Sequence, residues 1–223
     1  MDRSLLKEAL IKVVSGIILL GLLLFIPAGT LKWDNGWLFM AVLFIPMTIA
    51  GIVMYKKAPD LLRSRLNAKE KEKDQKSVIG LSALMFIAVF VVAGLDYRFG
   101  WTEASGLRVT MGVIIFLLAY MMFGEVLREN AWLSRTIEVQ EDQQVVDSGL
   151  YGIVRHPMYT ATVFLFLSMP LILDSMPAFV IMWVYIPIIV KRIKNEEEVL
   201  ERELKGYKEY KEKIRYRLMP FIW

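Results

Sequence analysis

Long stretches of this chain carry no charge, and their spacing predicts the framework of the protein. No Asp, Glu, Lys or Arg occurs between Lys12 and Lys32, from Asn35 to Tyr55, or from Ser77 to Leu95. A helix needs about 20 mostly apolar residues to cross the hydrocarbon core of a bilayer. A fourth run, Val109–Gly124, is shorter, and Val126 and Leu127 extend it. Two further runs, Met158–Leu173 and Ser175–Val190, are separated only by Asp174, with Pro177 close by. They predict an antiparallel helical hairpin with its tip at 174–177. A re-entrant loop is the alternative for this pair, and it returns the chain to the same side. The first run is expected to be a retained helix rather than a cleaved signal peptide. Met1-Asp2-Arg3 is only weakly basic, and Pro27-Ala28-Gly29 makes a poor cleavage site.

The expected fold is an all-α integral membrane protein of about six transmembrane helices, the last two a hairpin, followed by a C-terminal amphipathic helix. Residues 1–127 would supply four spans, and 128–223 a core made of a cytoplasmic segment, the hairpin and the tail. Orientation follows from loop lysines and arginines, which concentrate on the cytoplasmic side. The loop from Lys56 to Lys76 holds Lys56, Lys57, Arg63, Arg65, Lys69, Lys71, Lys73 and Lys76. The connections at 28–36 and 96–108 hold only Lys32, Arg98 and Arg108. The N-terminus, residues 125–157 and the tail are therefore expected on the cytoplasmic side. Within the basic loop, Lys69–Asp74 alternates in sign and reads as the solvated end of a helix.

Composition narrows the chemistry. Of 223 residues, 56% are hydrophobic and 22% charged, and the formal net charge is +4. A basic balance can mean nucleic acid, but here the basic residues flank apolar spans, which a membrane explains better. Cysteine is absent, which removes disulfides and thiolate metal sites. A single histidine, His156, removes a zinc site built on several imidazoles. No metal and no nucleic acid are expected as partners.

Polar residues gather on both sides of the hairpin. In the first segment, Ile137, Val139, Val145 and Val146 around Gln140, Gln143 and Gln144 predict a short extended or hairpin-like stretch. Asp147-Ser148-Gly149 is a turn signal. The run Leu150-Tyr151-Gly152-Ile153-Val154-Arg155-His156-Pro157-Met158-Tyr159 then leads into the apolar stretch. Proline lacks an N–H and suits a first helical turn, so Arg155 and His156 should sit at the mouth of that helix with Tyr159 inside it. In the second segment, Leu200, Leu204, Tyr207, Tyr210 and Ile214 recur at helical spacing, which predicts an amphipathic helix bent at Gly206 and lying on the membrane face. Arg192 and Glu196 are four apart and share a helix face. The hairpin should bring this pair opposite 155–159. Each piece has a plainer reading. Arg192 can snorkel to phosphate, Glu196–Glu198 can be a solvated face, His156 can cap or pack, and Tyr151 and Tyr159 can be interfacial aromatics, as Trp33, Trp37 and Trp101 are expected to be.

The residues Gly149-Leu150-Tyr151, Arg155-His156-Pro157-Met158-Tyr159, Arg192, Glu196-Glu197, Leu200, Gly206-Tyr207, Tyr210 and Pro220 resemble the isoprenylcysteine carboxyl methyltransferase family. That family lies within a wider group that includes membrane phospholipid methyltransferases, and the resemblance covers roughly Gln140 to Pro220. It implies an S-adenosylmethionine-dependent enzyme with its cofactor between the hairpin and the flanking segments. Cofactor contacts are implied for Gln140, for Gln143, Gln144, Val145 and Val146, and for Tyr151. They are also implied for His156, Pro157, Met158, Tyr159 and Glu196. Arg192 is implied to face the acceptor. The Leu204-Lys205-Gly206 step departs from the Phe-Gly common in eukaryotic members.

Methyl transfer needs alignment and a dry pocket more than a strong acid. A carboxylate acceptor loses no proton and needs no base, and Arg192 offers it a fork of hydrogen bonds. His156 is read as a positioning residue. For an amine or thiol acceptor, His156 or Tyr159 is the candidate base. The acceptor implied is the carboxylate of a prenylated, isoprenylcysteine-like substrate met among membrane lipids. The rival readings are a methyltransferase for a phospholipid amine or small thiol, and a non-enzymatic scaffold or transporter, which should carry charges inside its spans.

Overall fold

A computed structural model describes residues 3–66, 73–130, 132, 133 and 139–223 of the chain, and among them every regular element is helical. Four long apolar helices come first: α1 (Arg3–Ala28) and α2 (Asp34–Lys57), then, after the short α3 (Pro59–Leu66), α4 (Lys73–Phe99) and α5 (Gly106–Glu129). A 3-10 turn at Gly149–Gly152 precedes α6 (Pro157–Ile172), α7 (Met176–Met182), α8 (Tyr185–Glu203) and α9 (Tyr207–Lys213). Five helical segments are long and apolar enough to cross a membrane: α1, α2, α4 from Val78, α5, and the α7–α8 arm taken as Met176–Glu203. The chain is thus an all-α integral membrane protein.

The hairpin forms, with arms of unequal length. Its tip turns at Asp174, whose φ of 58° is left-handed, and Ser175 caps α7 by accepting from the Ala178 N–H. The first arm, α6, has only 16 residues. At 1.5 Å per residue that is roughly 24 Å, short of the ~30 Å hydrocarbon core. The second arm, 28 residues with its joint at Trp183-Val184, carries on beyond the apolar zone as α8.

Apolar side chains divide into two populations. Leu24, Phe39, Val89, Phe116, Ile172, Met182 and Ile189 are sealed inside the bundle. Leu19, Leu22, Ile26, Ile45, Leu84 and Leu118 point outward and stay more than half exposed, as lipid-facing positions should. The Trp33 expectation is corrected here. Trp37 and Trp101 are half exposed, but Trp33 is buried, stacked on Tyr97 at 5.0 Å and edge-on to Phe25. The α1–α2 turn folds it inward against α4.

The most extensive helix contact is α5 against α6, the helix that opens the polar cluster. A Cβ on Gly112 would lie 2.8 Å from the Ile172 backbone nitrogen and 2.9 Å from Leu171 Cβ. Only a hydrogen fits there. The tip is also tied from outside: Asp174 accepts from the Ser105 N–H (2.9 Å) and from Arg108 Nε (2.6 Å). Thr102 accepts from the Met176 N–H (3.1 Å) and donates to buried Asp96 (2.7 Å).

Gly112→Leu should force α5 off α6. Overpacking of this kind costs ~1–3 kcal/mol or more, so the thermal midpoint in detergent should fall by several degrees. A midpoint equal to that of the unaltered protein would show that the two helices can part.

Candidate active site

The cluster is built on the first turn of α6. Pro157 occupies the first helical position, where its missing N–H costs nothing. The two residues before it pair with the C-terminal tail: the Arg155 N–H donates to Tyr216 O and the His156 N–H to Arg217 O, each at 2.9 Å. Thr160 Oγ1 adds a bond to Leu218 O (2.7 Å). The tail past α9 is thereby laid along the mouth of α6.

Behind this seam sits a buried ionic hub. Glu197 is 3% exposed, and its two oxygens serve three partners. Arg155 Nε donates to Oε1 (2.8 Å), Arg217 Nε donates to Oε2 (2.9 Å), and His156 Nε2 lies 3.2 Å from Oε1. Arg155 Nη1 is satisfied by Ile214 O (2.7 Å) and Arg215 O (2.9 Å). The glutamate run is therefore not one solvated face. Glu198 is exposed, Glu196 is half-buried, and Glu197 is inside.

A second layer faces a cleft. The Tyr159 hydroxyl donates to Glu196 Oε2 in a short bond and accepts from Arg192 Nε (2.9 Å). Glu196 Oε1 lies 3.8 Å from His156 Nδ1. Residues 155–159 and 192–196 thus meet, as the hairpin predicted. Tyr151 and Tyr159 are buried rather than interfacial. Burial pushes the Tyr151 hydroxyl up to about 12, reinforced by the carboxylates of Glu196 and Glu129. It stays neutral through the physiological range, accepting from Asn130 Nδ2 (3.0 Å) and keeping its own proton to donate.

The loop between α5 and α6 supplies the facing wall. Among its described residues it is irregular rather than extended, with a tight turn at Asp142 (φ 58°) closed by Gln143 N–H to Gln140 O (3.2 Å). Residues 134–138, including Ile137, lie outside the described set, as does most of the Lys69–Asp74 stretch. The 3-10 turn begins at Gly149, with φ of 52°. A Cβ there would fall 1.5 Å from Glu129 Oε1. That carboxylate accepts from the Leu150 N–H (3.0 Å) and ties the turn to the end of α5. The α9 helix does not simply lie on the membrane. Tyr207 and Tyr210 pack under Val139, Val145 and Leu200, and Tyr210 Oη donates to Tyr151 O (2.8 Å).

Of the residues predicted for the site, Gln143, Gln144, Val145, Val146 and Tyr151 line the cleft from the loop. His156, Met158, Tyr159, Arg192 and Glu196 line it from the hairpin. Gln140 and Pro157 do not. Gln140 spends its amide on Trp132 O (2.7 Å), and Pro157 is buried in the helix start. Asn130, Trp132, Leu133 and Arg155 line the cleft although no candidate role pointed to them. Tyr207 and Tyr210 do so too, and for these a signal existed: two hydroxyls on an otherwise apolar helix face. Tyr207 Oη is buried without a hydrogen-bond partner. The cleft itself is narrow, about 100 Å³. Met158, Tyr159 and Arg192 are shared with a second, largely apolar pocket of about 560 Å³ between α4, α5, α6 and α8. Among the described residues no three His, Asp or Glu side chains are grouped to hold a metal ion.

Breaking a buried ion pair by removing one partner costs ~3–5 kcal/mol. Glu197→Ala should lose stability on that scale in detergent unfolding, whereas exposed Glu198→Ala should stay within ~0.5 kcal/mol. Equal, small losses in the two variants would remove Glu197 as the hub.

Comparison with known sequences agrees with this part of the chain. A family model described as phospholipid methyltransferase matches residues 107–206. The chain is also 26% identical over 91 residues to the Delta(14)-sterol reductase TM7SF2 of Mus musculus. That stretch is 40% of this chain and spans 22% of the relative's length.

Proposed function

We propose that the protein transfers a methyl group from S-adenosylmethionine to a membrane-associated acceptor, a reading supported by the match of residues 107–206, from α5 into the tail, to a family model described as phospholipid methyltransferase. The acceptor group is a carboxylate on an isoprenylcysteine-like amphiphile. One observation carries the reading: a polar cleft and an apolar pocket share Met158, Tyr159 and Arg192 as their common wall. A polar cofactor and a lipid-borne acceptor can meet only at such a junction. Residues 128–223 form the catalytic core on this reading, and 1–127 the supporting spans. The bias of loop lysines and arginines supports a cytoplasmic N-terminus, site and tail.

The cleft has the donor set such a cofactor needs. Glu196 offers a carboxylate to an ammonium or to ribose hydroxyls. Tyr207 Oη, buried and unpartnered, lacks the partner a polar ligand group would supply. Tyr151, Leu133 and Val146 give apolar surface for a base. Pockets for ligands of this size enclose ~300 Å³ or more, so the cleft must widen to admit one. When bound, the cofactor supplies an electrophilic methyl on a sulfonium whose charge is lost on transfer. Arg192 orients the acceptor carboxylate, Tyr159 holds Arg192 and Glu196 in register, and His156 is fixed against Glu197.

A phospholipid amine is the second reading, favoured by the description of the matching family model. It meets two obstacles: a cationic amine is repelled by Arg192, and it must lose a proton. His156 is held at Glu197, and the Tyr159 hydroxyl is already committed as a donor. A small thiol would leave the apolar pocket without a use. A scaffold or transporter would leave the orphaned Tyr207 hydroxyl without a reason.

Purified protein incubated with methyl-labelled S-adenosylmethionine and N-acetyl-S-farnesylcysteine should yield a base-labile methyl ester. Label appearing only in phosphatidylethanolamine would replace the carboxylate reading with the amine one. Glu196→Gln should weaken S-adenosylhomocysteine binding by about tenfold or more, the worth of one charge-assisted contact. Unchanged calorimetric affinity would take Glu196 out of the cofactor site. Arg192→Ala should raise the acceptor KM with little effect on cofactor affinity, and a KM like that of the unaltered enzyme would count against its role.

A further inference from the structure

The tail that locks the mouth of α6 carries an apolar turn that no described residue covers. Past α9, Arg217 and Leu218 donate their N–H groups to Trp223 O (2.9 and 3.0 Å), and Ile222 and Trp223 donate back to Met219 O (each 3.2 Å). The closed turn directs two side chains outward. Phe221 is 88% exposed and Ile222 77%, more than any other large apolar side chain among the described residues. Phe221 takes this position with φ of 67°, in the left-handed region that a bulky side chain rarely adopts. Apolar side chains held outward on strained backbone point to a partner outside the fold.

The position of the turn says which partner. Thr160 Oγ1 donates to Leu218 O, and Thr160 lies two residues inside the apolar run that opens at Met158. Leu218 belongs to the core of the helical bundle, with Met219 and Trp223 packed against that core. The turn therefore stands beside the bundle, at the level where its apolar zone begins. Ile153, just ahead of the 155–156 backbone that pairs with the tail, is also 54% exposed. The flanking residues have the character of a membrane–water boundary. Tyr216 and Trp223 are half-buried aromatics, and Arg215 is exposed, with no ion pair among the described residues. Such rings settle at headgroup level, and a cation there is drawn to lipid phosphate.

We propose that Phe221 and Ile222 insert into the leaflet that meets the mouth of α6, with Arg215 at lipid phosphate, and that this seating holds the tail against the site. Arg217 lies between α9 and the inserted turn and donates to Glu197 (2.9 Å). One partner of the buried hub is thus delivered by a segment that the bilayer fixes. The inference uses the membrane reading and not the chemistry at the cleft, so it stands or falls apart from methyl transfer.

The chain has no cysteine, so single cysteines report one position each. Phe221→Cys, Ile222→Cys and, as an exposed reference, Lys213→Cys would carry a nitrobenzoxadiazole label, with the full chain in phosphatidylcholine nanodiscs at one copy per disc. Nitroxide-bearing lipids should quench the labels at 221 and 222, while iodide should reach only the label at 213. Iodide quenching at 221 and 222 equal to that at 213 overturns the proposal. So does protection that arises only in discs holding two copies, which would assign the turn to a second copy of the chain. Trypsin cleavage after Arg215 reads the hold on the tail. With Phe221→Asp and Ile222→Asp combined, cleavage in nanodiscs should be about tenfold faster or more, since withdrawing one large apolar side chain from water is worth that much. Phe221→Leu, which keeps the apolar contact, should be cut at the unaltered rate. Aspartate tolerates positive φ better than phenylalanine does. A turn shaped by its backbone alone would therefore be cut no faster, and that result removes the anchor.

Discussion

The carboxylate of Glu197 is the point on which the rest of the site depends. It is withdrawn from water between Arg155, Arg217 and the imidazole of His156. Taking such charges out of water is expensive, and a hydrophobic cluster of equal volume would often be as stable. What the hub provides is geometry. Through Arg155 it holds the carbonyls at 214 and 215, and through Arg217 it holds the tail one turn further on. It also presents an acceptor to His156 Nε2, which leaves Nδ1 toward Glu196. Three segments distant in sequence, 155–160, 192–197 and 214–218, are locked at one level.

On that base the cluster divides into a buried layer around Glu197 and a second layer that faces the cleft. Glu196 and Glu197 are adjacent in sequence, and helical geometry turns them about 100° apart. One faces the hub and the other the cleft. Tyr159 joins the layers to the membrane side, because its hydroxyl contacts both Glu196 and Arg192 while its ring walls the apolar pocket. In-line transfer between a polar and a lipid-borne partner demands that both be held with little slack. A hydroxyl bridging the two candidate binding groups on one short helix is a stiff way to do it.

Much of this was legible in the sequence, for reasons that differ by level. The spans are visible because hydrocarbon demands length and tolerates no charge, and the hairpin because only Asp174 interrupts two such runs. Pro157 marked the start of α6 through its missing N–H. The sequence could not tell which glutamate of 196–198 would be buried, since that depends on Arg217 arriving from the far end of the tail. Trp33 resembles an interfacial tryptophan until the α1–α2 turn folds it onto Tyr97. Gln140 and Gln143 are alike as residues, but the Asp142 turn sends one amide to Trp132 and the other side chain to the cleft. The role of the α9 hydroxyls is not visible in the periodicity, which reports burial and not what a buried polar atom lacks.

The opposite end of the hairpin explains how a site on so short a helix can be steady. The α6 helix is too short to span by itself, so its depth cannot be set by matching the bilayer. It is set by protein instead. At the tip, Asp174 is held by Arg108 and the Ser105 N–H, and Met176 by Thr102, whose partner Asp96 is buried at the end of α4. At the mouth, the 155–156 backbone is held by the tail. Between these clamps, the contact at Gly112 lets α5 press directly on the α6 backbone. A helix fixed at both ends and along one side can neither slide nor tilt to follow the membrane. The side chains at its polar end are thereby positioned by protein contacts rather than by the lipid, as the proposed transfer between a water-borne and a lipid-borne partner would require.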